Sequence, residues 1–159
     1  LEEKNMNTQE ISRLFMASPQ PADRRQHKRI SPQPDTRILV IDDSTTVVHA
    51  VTSMLRQSGY DCLKASEPLN GIYLAKLHQP DLILVDMIMP GINGHQTIRR
   101  LRQDPLTEHI PLIAMSANKQ EMNNGWVARM GADGYLVKPF SRKLLFHTIE
   151  GVLYSMQAA

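Results

Sequence analysis

The sequence predicts a doubly wound α/β domain, and three observations carry that expectation. Short runs such as "RILVI" and "LILV" are rich in β-formers and apolar on both faces, as strands of a parallel sheet covered on both sides are. Segments of helical period lie between them, and strand and helix alternate five times over about 120 residues from Arg37 onward. Right-handed crossovers are expected for such an order.

The elements follow in turn. After "RILVI", the stripe Val47, Val48, Val51, Met54 and Leu55 predicts a first helix stopped by Gly59. "YDCLKA" reads as the second strand, and Ser66 is expected to cap a second helix with Pro68 in its first turn. "LILV" is the third strand. A third helix is expected over 94–102, with Ile98 and Leu101 in its stripe, before Asp104-Pro105. "PLIAM" follows, and Asn118 with Glu121 three residues later predicts the start of a fourth helix. "GYLVK" precedes a fifth helix striped by Leu144, Leu145, Thr148, Ile149, Val152 and Leu153. The fourth helix contains "NNGW", a poor run for helix propensity, with Gly costing about 1 kcal/mol against Ala. A weak helix is expected there. Trp126 is read as core or boundary packing ahead of a partner anchor.

The bulk numbers agree with one domain plus an extension. The chain has 159 residues, 42% hydrophobic, with aromatics at only 5%, so aliphatics and nine Met must fill the core. The single cysteine, Cys62, excludes an internal disulfide and points to a reducing compartment. No apolar run approaches the roughly 20 residues needed to cross a bilayer, so a soluble cytoplasmic protein is expected. Residues 1–35 differ in character from the remainder, 36–155. "MNTQEISRLFM" places Ile11, Leu14 and Phe15 at helical spacing, a helix marginal by itself. Ser18-Pro19-Gln20-Pro21 recurs as Ser31-Pro32-Gln33-Pro34 around the basic run 24–29, which reads as an extended, solvated linker. Contact with nucleic acid or anionic lipid is the less favoured reading, because short basic runs are unspecific. Met6 is read as the natural start, with residues 1–5 a remnant before it.

In open α/β sheets, functional residues collect beyond the carboxyl ends of the strands. Strand 1 ends in Asp42-Asp43, strand 3 in Asp86, strand 4 in Ser116 and strand 5 in Lys138-Pro139. Crowded carboxylates repel and ask for a cation, and oxygen ligands of this kind suit Mg²⁺. One Asp after a strand is ordinarily a cap or the start of a loop; acids at two strand ends with Lys before Pro at a third are not explained that way. "IDDSTT" lacks the glycines of a dinucleotide or nucleotide-triphosphate loop, the six His lack zinc spacing, and "AMSAN" is no nucleophile elbow. An aspartate acting as nucleophile toward a phosphoryl group held by Mg²⁺ and Lys138 remains.

The motifs "ILVIDDS", "LILVDMIMPGING", "IPLIAMSA" and "GADGYLVKPF" resemble the receiver domain of two-component response regulators over about residues 37–153. The resemblance implies a flavodoxin-like sheet in the order 2-1-3-4-5. It implies Asp86 as phosphoacceptor, Asp43 as a direct Mg²⁺ ligand, Asp42 acting largely through a metal-bound water, and the backbone carbonyl of Ile88 as a further ligand. Lys138 would bond a phosphoryl oxygen, and the Lys138-Pro139 peptide would be cis. Ser116 would be the hydroxyl that moves toward the phosphoryl group. Tyr135 would be the aromatic that turns inward with it, against the plainer reading of a strand aromatic packed for its area. Ala117 leaves room above the acid. Partners implied are a histidine kinase and a downstream protein bound on the helix 4–strand 5–helix 5 face.

Ile88 and Asn118 occupy positions that tune phosphoryl lifetime in the family. Ile88 offers no group to position a water, so slow to moderate self-dephosphorylation is expected. The chain stops shortly after helix 5, which leaves no room for a DNA-binding output domain and resembles stand-alone chemotaxis-type regulators. "DDS", "MIMPGINGHQT" and "YLVKPFS" are similar to those of type IV pilus twitching systems. Two rivals stand beside this reading. A small Mg²⁺-dependent enzyme on a phosphorylated metabolite would need a cap that the short inserts do not supply. An unphosphorylated docking scaffold would not need Asp42, Asp43, Asp86, Ser116 and Lys138 together.

Overall fold

The computed structural model describes residues 35–120 and 122–158. The readings of residues 1–34 lie outside these. Five parallel strands stand in the order β2-β1-β3-β4-β5: β1 Arg37–Ile41, β2 Asp61–Ala65, β3 Leu82–Asp86, β4 Leu112–Ser116 and β5 Gly134–Val137. The helices between and after them are α1 Thr45–Gln57, α2 Pro68–His78, α3 Gly94–Gln103, α4 Asn124–Met130 and α5 Arg142–Gln157. The fold class and strand order are those expected.

Strand side chains alternate between faces, so the sheet carries two cores. Ile38, Val40, Leu82, Leu84, Ile113 and Met115 pack with the stripes of α1 and α5. Leu39, Ile41, Ile83, Val85, Leu112 and Ala114 pack with α2, α3 and α4. Leu82 to Val85 are wholly buried, and each such aliphatic contributes about 1.5–3 kcal/mol. That burial holds β3, and with it Asp86, at the centre of the sheet.

Helix starts follow local chemistry. Ser44, Asn123 and Ser141 cap α1, α4 and α5 through their side chains, and Asn93 with Gln96 forms a full capping box on α3. Three expectations are corrected. The cap of α2 is Glu67, which makes no side-chain capping bond; Pro68 at the first turn, already set at a helical φ, starts the helix without one. The fourth helix does not start at Asn118. That side chain accepts from the Gln120 N–H in a turn, and α4 starts six residues later behind Asn123. "NNGW" is therefore a helix start rather than a weak interior, and the cost of an interior Gly does not apply to it. Leu144 belongs to the exposed side of α5, whose buried stripe is Leu145, Ile149 and Val152. Trp126 is partly buried, and its ring meets His95 edge-on at 4.9 Å.

Candidate functional site

Asp42 and Asp43 follow β1, Asp86 ends β3, Ser116 ends β4 and Lys138 follows β5. Parallel pairing puts all these ends on one edge, and there Lys138 meets Asp42 and Asp86. The Lys138 ammonium lies 2.6 Å from Asp42 Oδ2 and 3.1 Å from Asp86 Oδ1. Asp42 is wholly buried and Asp86 nearly so, whereas Asp43 is exposed. One oxygen from each of Asp42, Asp43 and Asp86 lies within 4.8 Å of the others.

Backbone donors hold two of the acids. The Ser44 N–H donates to Asp42 Oδ1 at 2.9 Å, leaving Oδ2 for Lys138. The Ile88 N–H donates to Asp86 Oδ1 at 3.3 Å, while the Ile88 side chain is 61% exposed beside the site. The Lys138 N–H donates to the Ser116 carbonyl at 2.8 Å, and the peptide from Lys138 to Pro139 is cis.

One ammonium serves two carboxylates, and the closer one is Asp42. Burial works against the charge on Lys138, but Asp42 and Asp86 more than offset it and hold the ammonium above its ordinary range. Asp86 fares differently. Burial pushes its carboxyl up to about 7 and the nearby Asp42 charge adds to this, so Lys138 and the Ile88 N–H offset the cost only in part. Three acids against one ammonium leave an excess of negative charge. The donors are hard carboxylate oxygens close together at a rim, and that chemistry fits Mg²⁺.

Ser116 is buried and its Oγ accepts from the Asn118 N–H at 3.1 Å. Ser116 pairs with Val137 and Ala114 with Tyr135, so Ser116 and Tyr135 lie on the same face of the sheet. Tyr135 is half-buried against the core shared with α3 and α4. Ala117 is exposed beyond Ser116.

Sequence reasoning missed two supports. A Cβ on Gly94 would stand 2.5 Å from the Asp86 carbonyl oxygen and from Met87 Cα, so only Gly lets α3 start against the end of β3. Its signal was present in "GING", four residues past Pro90. Arg102 was the other: its guanidinium donates to the carbonyls of Gly131, Glu108 and Ile110 and to Asp133, tying α3 to the entries of β4 and β5. No local pattern announces a residue whose partners lie up to 31 positions away.

A family model described as the response regulator receiver domain matches residues 38–150. Protein PilH of Pseudomonas aeruginosa is 42% identical over 117 residues, 74% of this chain and 97% of PilH. The phosphate regulon transcriptional regulatory protein PhoB of the same organism is 36% identical over 116 residues, 73% of this chain but only 51% of PhoB. Chemotaxis protein CheY4 of Vibrio cholerae has a TM-score of 0.69 at 24% identity, covering 74% of this chain and 98% of the other. A CheY-like receiver domain protein of Methanospirillum hungatei reaches 0.71 at 22% identity, covering 78% and 98%. These two structures show the shared fold. Receiver domains are signalling proteins rather than metabolic enzymes, and among the described residues no helix is long and apolar enough to cross a membrane. With the sequence match, the sheet order and the acidic rim in agreement, the chain belongs to the response regulator receiver family.

Proposed function

We propose that this chain is a phosphorylatable response regulator, with residues 36–155 as its receiver and residues 1–35 as a Pro-rich, basic extension. The observation that carries the reading is the Lys138 ammonium held between Asp42 and Asp86 at the strand-end rim. An Asp86 carboxylate oxygen attacks the phosphorus of a histidine kinase's phosphohistidine. The new O–P bond forms as the P–N bond breaks, and the imidazole nitrogen leaves with that electron pair. Asp42, Asp43, Asp86 and the Ile88 carbonyl would hold Mg²⁺, which would supply the positive charge that three carboxylates and a phosphoryl group lack.

Lys138 sits 3.1 Å from Asp86 and turns from carboxylate to phosphoryl oxygen with little movement. Ser116 moves toward the new charge and Tyr135 turns inward on the same face, tilting an existing equilibrium between two states. The α4–β5–α5 face then changes its affinity for a protein target. The match to 97% of PilH supports a role in a chemotaxis-like or type IV pilus motility system.

The test is incubation with acetyl phosphate and Mg²⁺, followed by mass measurement of wild type and Asp86→Asn. One phosphoryl adduct, acid-stable and base-labile, is expected on wild type alone. An adduct of equal yield on Asp86→Asn, or none on either protein, overturns the assignment.

A further inference from the structure

Helix α2 presents apolar side chains outward as well as inward. Gly71, Ile72 and Ala75 face the sheet, as an α/β helix requires. On the outer side Leu69, Tyr73 and Leu77 stand four residues apart on one face, each 59–60% exposed. Leu106, 58% exposed, extends the stripe past the helix foot, where Gln79 Nε2 donates to its carbonyl at 2.9 Å. Four of the eight large apolar side chains exposed among the described residues gather here, and a gathered patch, unlike scattered ones, marks an interaction site.

Three properties of the stripe fit a second copy of this chain. The first is symmetry. Leu69 and Leu77 stand equally far from Tyr73, about 6 Å of helix rise on either side. A two-fold axis through Tyr73 therefore lays two α2 helices antiparallel, with Tyr73 on Tyr73 and each Leu69 against the partner's Leu77. The second is charge. A patch that meets itself sets like against like, so it must carry no free charge. Lys76 is the only charged residue from Leu69 to Leu77, and Asp104 neutralises it within the same copy. Antiparallel pairing also opposes the two helix dipoles. The third is area. Each of the four side chains offers about 100 Å² of apolar surface. With the exposed Asn70 and Gln79 at its margin, each copy would bury about 600 Å², the low end of specific interfaces.

We propose that this chain forms a two-fold dimer through α2, with Leu69, Tyr73, Leu77 and Leu106 of each copy packed on the same stripe of the other. Helix α2 packs over β1 and β2, at the opposite end of the sheet from β5. The dimer therefore leaves the α4–β5–α5 face open on both copies, and a target with two matching sites gains avidity from the pair.

Sedimentation equilibrium of the full chain tests this. The average mass is expected to rise from 18.0 kDa toward twice that value, with a midpoint on the order of tens of micromolar. Tyr73→Asp sets two carboxylates against each other at the axis and is expected to leave the chain monomeric throughout. An unchanged urea midpoint, measured well below the dimer's midpoint concentration, shows that this variant folds. Leu69→Glu or Leu77→Lys alone is expected to weaken the dimer at least tenfold. The two together in one chain restore it, because an antiparallel two-fold sets each against the other. A monomer at every concentration, a dimer that survives Tyr73→Asp, or a double variant no tighter than the single ones overturns the proposal.

Discussion

Replacing Asp86 by Asn removes one of three carboxylates that share a single ammonium while keeping the shape of the side chain. In magnesium-free buffer the substitution should stabilise the protein. The Asp86 carboxyl is pushed up to about 7 in the fold against 3.8 ordinarily, a difference of about three pH units, or about 4 kcal/mol. Because the folded value is the raised one, the folded state holds the proton more tightly than the unfolded chain. The stability tied to that proton is whole below about pH 4 and lost as pH rises through 7. Asn never ionises and keeps an acceptor for the Ile88 N–H. Relaxation and water at the rim reduce buried-charge costs, so about 2 kcal/mol of the 4 should be realised at pH 8. For a domain of this size that is about 6–8 °C in Tm. Urea unfolding with EDTA at pH 5 and pH 8 measures it. The gain should be less than half its full size at pH 5, fully developed at pH 8, and reduced in saturating Mg²⁺, which stabilises wild type more by binding its full acid set. Equal midpoints at pH 8, or a gain that does not change with pH, refutes the reasoning.

Further expectations can be measured independently. Mg²⁺ binding to wild type should displace the Asp86 proton, so affinity should weaken by up to about tenfold per unit as pH falls below 7 and level off above it; titration calorimetry in buffers of different ionisation enthalpy reads both. Gly94→Ala must push α3 away from the end of β3 and should cost about 2–3 kcal/mol in urea unfolding, with reduced yield of phosphoryl adduct. Arg102→Met removes four donated bonds and leaves the Ile110 carbonyl without its guanidinium, an expected loss of about 2–3 kcal/mol with faster hydrogen exchange at the entries of β4 and β5. Ile88→Glu places a water-positioning group at an exposed point beside Asp86 and should shorten the half-life of the phosphoryl adduct; an unchanged half-life counts against that role.

The strands were legible because a residue buried on both faces must be apolar in nearly every position, and "RILVI", "LILV" and "PLIAM" are. The rim was legible for a related reason. Asp and Lys at the ends of such runs are costly unless they meet one another, so residue type and place along the chain sufficed to bring Asp42, Asp43, Asp86 and Lys138 to one rim. The start of α4 was misread because Asn118 and Glu121 satisfy the same spacing rule as a capping pair, and a turn competed for Asn118. Gly94 and Arg102 were missed because one is defined by the backbone it approaches and the other by distant carbonyls.

The sequence by itself determined which segments are strands and helices, which faces they bury and which chemical groups stand at the strand ends. These are properties of near neighbours and of period. Tertiary structure alone decided how one ammonium is shared. Lys138 and Asp42 are 96 residues apart and meet at 2.6 Å only because β1, β3, β4 and β5 stand in that order. The same packing buried Asp86 beside Asp42 and raised its carboxyl, since desolvation and charge depend on what surrounds a group in space and not on what precedes it in the chain.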